Sequence, residues 1–286
     1  MVMAGASSPD SYDPRAFPPF AVTVDLAVLT LIDLPVPPKS GRVPRKELAA
    51  VLVVRGGDTH AGDYALPGGF VHIDEDLPAA ALRELREEVG LELSESAIHQ
   101  FGVYGNPGRD PRMRVVTVAY AALASIDTAL EAGTDAVAVE IVPVRRILGG
   151  EVTLAFDHEQ ILGDAIEFVR VLIEETSAAL ELCPDSFTIT ELRHVCEAVW
   201  GCRVDRATFN KRVLLIDGFI EPDESIEVEK EFPVIAAPVT RGRPARRFRR
   251  GGADTLHPPL LRPREVLKHT DSWYENFSVK ALKSEE

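Results

Sequence analysis

The chain has 286 residues, 45% of them hydrophobic and 27% charged, with a formal net charge of −14. That length accommodates two ordinary domains of a soluble protein, and the acidic balance excludes nucleic-acid binding through a global positive field. No stretch approaches the roughly 20 apolar residues of a membrane span, so no membrane partner is expected.

Residues 1–20 are rich in Ser, Pro and Asp. They lack a basic region followed by an apolar core, and read as a loose, disordered lead-in and not a secretory signal. The first strand candidates are Ala21–Leu34 and Leu48–Arg55, separated by a loop too rich in proline for a sheet interior. Tyr64–Phe70 leads into a helix expected over Leu77–Val89, with Asp76 as N-cap, Pro78 in the first turn and Gly90 as the terminating glycine. Strands are expected around Ile98–Tyr104, Arg114–Leu123 and Ala138–Val142, then a helix near Glu159–Glu175.

Beyond about Ser177 the texture changes. Thr188-Ile189-Thr190-Glu191 is a capping-box pattern, and the helix it opens carries Ile189, Leu192, Val195, Cys196 and Val199 on one face. A short turn through Gly201–Val204 follows, and Asp205 caps a second helix, roughly Arg206–Leu215, with Phe209 and Val213 as core contacts. Gly218 ends it. Phe219–Glu221, Ile226–Val228 and Pro233–Val239 are strand-like, which gives the helix, turn, helix, wing order of a winged helix-turn-helix. Residues 251–286 have no firm assignment. The boundaries read from this are 21–175 for the first domain and 176–250 for the second.

The three cysteines, Cys183, Cys196 and Cys202, form no CxxC and have no zinc-type partners. They read as idle thiols of a reducing compartment, and a cytoplasmic protein is expected.

The densest chemistry starts at Gly69. Five residues separate it from Glu75, and seven more precede Arg83-Glu84-Leu85-Arg86-Glu87-Glu88-Val89-Gly90-Leu91. Glu84, Glu87 and Glu88 stand at i, i+3 and i+4, so three like charges share one helix face. A solvated acidic helix is the bland explanation, but the full spacing after Leu66-Pro67-Gly68-Gly69 argues against coincidence. A hard divalent cation, Mg²⁺ or Mn²⁺, relieves that repulsion and keeps positions for a phosphate. Gly68 and Gly69 permit close backbone approach, and Arg83 can brace the acids.

This pattern resembles the Nudix hydrolase box, GX5EX7REUXEEXGU with U a bulky aliphatic, with every fixed position filled. The resemblance covers roughly Ala21–Val169 and implies an α/β/α sandwich around a mixed sheet. By position, Glu84, Glu87 and Glu88 look like metal ligands with the Gly68 carbonyl as a helper. Arg83 looks like the partner of Glu75 or of a ligand. Hydrolysis of a nucleoside diphosphate linked to another moiety is the chemistry implied, with the acids and Arg83 as catalytic machinery. The stretch around Gly108-Arg109-Asp110-Pro111-Arg112 resembles a loop of ADP-ribose pyrophosphatases. Arg109 and Arg112 are candidates for phosphate contact and Tyr64 for base stacking, with Arg55, Gly68, Gly69 and Phe70 beside the same cleft.

In the second domain, Arg206, Asn210, Lys211 and Arg212 fall on the exposed face of the second helix, suited to base edges and phosphates. The block Arg241–Arg250 carries six arginines and no acid. Within it, Arg243 and Arg246 are candidates for a phosphate or minor-groove clamp. Against this, the preceding Glu221–Glu231 stretch is strongly acidic. VTVDLAVLTL, YALPGGFV, GRDPR, FDHEQIL, DRATFNKR and GRPARRFR together resemble the NrtR family of Nudix-related transcriptional regulators, over almost the whole chain. That resemblance implies a homodimer on a palindromic operator, repressing genes of NAD synthesis or salvage. It also implies that ADP-ribose or a relative binds the Nudix cleft and releases DNA. The alternative is a metal-dependent ADP-ribose pyrophosphatase, or both activities in one chain, because the box is complete.

Overall fold

The computed structural model describes residues 18–35, 43–56, 59–126, 136–224 and 245–263. The first strand, β1 (Ala21–Asp33), is a β-rich run buried along most of its length, as expected of a central strand. It pairs antiparallel with β2 (Lys46–Arg55) and parallel with β6 (Val115–Leu123), so the sheet is mixed. Two short segments, β3 (Tyr64–Ala65) and β4 (Gly68–Phe70), pair with β2 and β1 respectively. Outer strands β5 (Ile98–Tyr104) and β7 (Ala136–Pro143) pair with β6 and β2.

The period-two alternation of β1 divides the core. Val24, Leu26 and Val28 face helix α1 (Leu77–Val89), which buries Ala80, Ala81, Leu85 and Val89 against them. Ala27 and Leu29 face the other way. There the short α2 (Val144–Leu148) and the long α3 (His158–Glu175) cover the sheet, with Ile161, Leu162, Ala165, Ile166, Val169 and Ile173 buried. Each fully buried aliphatic side chain of this kind contributes about 1.5–3 kcal/mol. The helix limits follow local signals: Asp76 accepts from Leu77 N–H, and Gly90 ends α1 in the left-handed region at φ 71°.

This second core does not stop at the sheet. It runs through the 3₁₀ turn Ser177–Leu182 into α4 (Ile189–Trp200) and α5 (Arg206–Leu215), joining Trp200, Phe209 and Val213 to the same cluster. Trp200 Nε1 donates to the Arg170 carbonyl (3.3 Å), Arg170 Nε to the Val199 carbonyl (3.0 Å), and His194 Nδ1 to the Pro44 carbonyl (2.9 Å). The capping box is formed in both directions between Thr188 and Glu191.

A second, three-stranded sheet completes the C-terminal module. Its order is β8 (Phe187–Thr188), β10 (Arg247–Arg250), β9 (Ile220–Pro222), all antiparallel. The strand-like segments 226–228 and 233–239 lie outside the described residues. The arginine block, read from sequence as a clamp, therefore supplies the middle strand of this sheet. Residues 251–262, unassigned by sequence, pack back on α3: Leu256 and Leu260 are buried, and Leu260 N–H donates to the Glu174 carbonyl at 2.7 Å. Arg262 pairs with Glu174 at 2.8 Å and Glu167 at 3.3 Å.

Candidate functional site

A cavity of about 700 Å³ opens beside β1 and β4, walled on one side by α1 and on the other by the Arg109–Arg112 loop and the start of α3. Arg55, Gly68, Gly69, Phe70, Arg83, Glu84, Glu87, Glu88, Arg109 and Arg112 all line it. Tyr64 does not: it packs with the α3-side core, and its hydroxyl donates to Glu140 at 2.8 Å. The alternation of β3 decides this, because it turns Tyr64 away from the face shared by the box.

Arg83 organises the acidic wall. Its guanidinium makes a forked contact with Glu75 (2.9 and 2.6 Å) and also reaches Glu84 (2.8 Å), Glu87 (3.1 Å) and the Phe70 carbonyl (3.1 Å). These bonds hold Glu75 down at a pKa of about 2. Burial acts the other way on Glu84 and, despite Arg83, leaves its pKa raised. Glu88 accepts from Gly68 N–H at 2.9 Å.

Close approach to backbone requires glycine at Gly68, whereas a side chain at Gly69 would displace only the Glu84 carboxylate. A Cβ on Gly68 would collide with the Val24 carbonyl, and one on Gly69 with the Glu84 carboxylate.

Among the described residues, no three acid, His or Cys side chains converge on one point as a metal centre. Arg83 holds Glu84 and Glu87 instead. The donor set still fits a hard cation: three carboxylates and backbone oxygens on one wall of a polar cavity.

The opposite wall differs from expectation. Arg109 lines the cavity, but its side chain is 5% exposed and committed to Asp157 (2.9 and 2.7 Å) and Asp25 (3.0 Å). Burial opposes its charge, and these two carboxylates outweigh burial and raise its pKa. Arg112 is held by Asp110 at 2.7 Å and remains 43% exposed. It lies 5.7 Å from the Phe70 ring and 5.9 Å from that of Phe156. Arg55 lies over the same Phe156 ring at 4.8 Å, and burial followed by the nearby Arg112 lowers its pKa. Phe156 adopts φ 56°, a strained conformation for an aromatic residue. Arg55, Arg112 and the Phe70 and Phe156 rings give this wall guanidinium and aromatic faces beside the carboxylates that hold Arg109 and Arg112, an arrangement suited to an anion attached to a planar group.

Sequence reasoning quoted the stretches that contain Asp25, Phe156 and His158 as carrying the family resemblance, but gave none of the three a role in the site. The available signals were a carboxylate inside an otherwise apolar strand and the position of Asp157-His158 at a helix start. His158 is buried, and its Nδ1 accepts from Leu66 N–H at 2.9 Å. Burial lowers its pKa, more than the nearby Asp25 and Asp157 raise it. Below about pH 6.5 the unfolded chain binds a proton that folded His158 refuses. Stability is therefore expected to fall as pH drops from 7.5 to 5.5, by up to ~1.4 kcal/mol per pH unit below 6.5. Thermal melts of wild type and His158→Asn, whose side-chain oxygen can accept the Leu66 amide, check this. An unchanged pH slope in the variant would remove His158 as the cause.

Among the described residues all three thiols are free, Cys196 buried and Cys183 and Cys202 half-buried. Burial pushes Cys183 up to about 12 and Cys196 well above the usual thiol range. In a colorimetric thiol assay of the folded protein, Cys183 and Cys196 should react only on unfolding, and half-exposed Cys202 first.

In the C-terminal module, α5 exposes Arg206, Lys211 and Arg212, while Asn210 is half-buried. Asp205 caps the helix by accepting from Thr208 N–H at 2.9 Å. Arg212 donates to the Leu261 carbonyl at 2.8 Å, which ties it to the returning tail. Arg243 lies outside the described residues. Arg246 stacks over Phe248 at 5.4 Å. The rest of the described block is engaged within the chain: Arg247 with Ser186 (3.0 Å), Arg249 with Glu221 (3.2 Å) and Arg250 with Ser177 (2.9 Å). Glu221, read as an acid opposing phosphate, is thus a cross-strand partner of Arg249.

Fold and site together define a Nudix domain carrying a winged helix. Comparison with known proteins agrees: the NUDIX domain profile matches residues 42–164, and that of the NrtR DNA-binding winged helix domain matches residues 179–231. The "ADPR responsive transcriptional repressor NtrR" of Acinetobacter baylyi is 29% identical over 216 residues, 75% of this chain and 80% of the relative. The crystal structure of Shewanella oneidensis NrtR complexed with a 27mer DNA has a TM-score of 0.60 at 28% identity, covering 80% of this chain and 93% of the other. The ADP-ribose pyrophosphatase of Methanocaldococcus jannaschii is 37% identical over 119 residues, 42% of this chain and 66% of the relative. The chain belongs to the NrtR family of Nudix-related transcriptional regulators.

Proposed function

We propose that this protein is a cytoplasmic transcriptional repressor of NAD synthesis or salvage genes, released from DNA when ADP-ribose or a close relative fills the Nudix cavity. The observation that carries this reading is one continuous core. It links the sheet beside the cavity, through α3, to the helices α4 and α5. A ligand can act on DNA binding only if it binds the DNA-free arrangement more tightly, and a shared core gives the two sites a common mechanical frame. Arg206 and Lys211 on exposed α5 serve the DNA, with a homodimer reading a palindromic operator. The resemblance to a repressor named for ADP-ribose response supports the effector class.

Glu84, Glu87 and Glu88, with the Gly68 backbone, would hold a divalent cation, Mg²⁺ or Mn²⁺, and Arg55 and Arg112 would face the diphosphate. When bound, the metal neutralises phosphate charge and lowers the pKa of a coordinated water. Arg83 bridges Glu75 to Glu84 and Glu87 and so fixes the wall on which the acids sit.

The test is a mobility shift with promoter DNA of NAD genes, titrated with ADP-ribose. Release of bound DNA is expected. A shift insensitive to ADP-ribose removes the effector, and no shift removes the regulator.

A second reading, hydrolysis of ADP-ribose, is favoured by the complete acid cluster. It predicts metal-dependent formation of AMP and ribose phosphate that Glu84→Gln abolishes, and absence of turnover in the wild type would end it.

A further inference from the structure

The helix that borders the cavity is also the one that the returning tail grips. At the start of α3, His158 lines the cavity, and the preceding Asp157 holds Arg109 at 2.7 Å. The 18 residues of α3 make a stiff rod of about 27 Å. At its far end, the last-turn carbonyls have no partner within the helix and need donors from elsewhere. The segment 251–262 supplies them. Leu256 N–H donates to the Glu175 carbonyl at 2.8 Å, and Leu260 N–H to the Glu174 carbonyl at 2.7 Å. Arg262 closes the grip: its side chain is 7% exposed and pairs with the Glu174 carboxylate at 2.8 Å.

The same segment also holds α5. The Leu261 carbonyl accepts from Arg212 Nη1 at 2.8 Å. Just beyond the helix, the Gly218 carbonyl accepts from Ala253 N–H at 2.9 Å, and the Phe219 carbonyl from Gly251 N–H at 3.0 Å. Only glycine fits at Gly251, because a Cβ there would collide with the Gly218 carbonyl. One short stretch is therefore bonded to the end of α3 and to the end of α5, and its buried Leu256 and Leu260 fix it to the core between them. A close-packed interior transmits displacement and does not absorb it. A shift at the start of α3 thus reaches the last turn of that helix, and through the strap it reaches α5.

We propose that residues 251–262 are a strap that couples the cavity to the DNA-binding helix, with Arg262 as the residue that positions the strap on α3. This rests on the effector reading given above, and names the route by which a filled cavity acts on α5. Arg262 touches neither ligand nor DNA in this arrangement. Its effect falls on the coupling between the two sites, which is a separate quantity from either affinity.

The test is fluorescence anisotropy of operator DNA with the full chain and Mg²⁺, with and without saturating ADP-ribose. The quantity read is the ratio of the two Kd values, in which any change in DNA affinity itself cancels. Calorimetry with ADP-ribose sets the saturating concentration for each variant. Arg262→Gln opens the strap at α3, and Arg212→Met opens it at α5. Each is expected to shrink the ratio at least about threefold, with ADP-ribose affinity within about twofold of wild type. The double variant should lose no more than the stronger single one, because two breaks in one linkage are not additive. Arg212 is exposed, so its variant decides the matter if Arg262→Gln does not fold. A wild-type ratio in either folded single variant, losses that multiply in the double, or an equal loss of ADP-ribose affinity overturns the strap. A ratio of one in the wild type overturns the effector reading itself, and is seen before any substitution is made.

Discussion

Replacing Arg109 by Ala is expected to destabilise the Nudix domain by about 3–5 kcal/mol, the range for removing one partner of a buried ion pair. At roughly 2–4 °C per kcal/mol, that lowers the melting temperature by on the order of 10 °C. The reason is the company Arg109 keeps. Asp25 is 5% exposed and Asp157 is held by a forked bond, so deleting the guanidinium strands two carboxylates beside the α3 start. Arg109→Lys should recover only part of the loss, because an ammonium lacks the planar fork that serves both acids. Chemical denaturation with and without ADP-ribose reads the outcome. A variant that stays as stable as wild type but loses the ligand would return Arg109 to the phosphate-binding role its loop suggested.

The second large effect concerns DNA. Arg206→Ala with Lys211→Ala is expected to lower affinity for operator DNA by about 10- to 100-fold at physiological salt. It should also flatten the dependence of log affinity on log salt by about two per protomer, roughly four for a homodimer on its operator. Both side chains stand on the exposed face of α5, in the order helix, turn, helix that places such a face against a groove. Arg212→Ala should change affinity by less than about threefold, since its guanidinium is already engaged by the Leu261 carbonyl. Fluorescence anisotropy at several salt concentrations separates the two. An Arg212 effect equal to that of Arg206 would mean that the tail contact opens on DNA.

What was legible in the sequence was local. The box helix, its Asp76 cap and Gly90 stop, the capping box at Thr188 and Glu191, and the Asp205 cap are all written within a few residues of where they act. The Arg83–Glu75 brace was also within reach, because the pair stands only eight positions apart across one turn into the helix. The other wall was not. Arg109 meets Asp157 and Asp25 at separations of 48 and 84 residues, and no spacing rule encodes such a meeting. Tyr64 was misplaced for a related reason. A two-residue strand is too short for its alternation to reveal which face is which.

The amino-acid order alone settled the catalogue of parts: a box that gathers three acids on one helical face, and a helix pair suited to a groove. Both depend on side-chain periodicity within one element, which the chain carries wherever it goes. Packing decided which charges remain available. It drew Arg109 into a buried network, tied Arg247, Arg249 and Arg250 into the second sheet, and set His158 against Asp25 on the cavity floor. A charge finds its partner by distance in space, and only the folded chain fixes that distance.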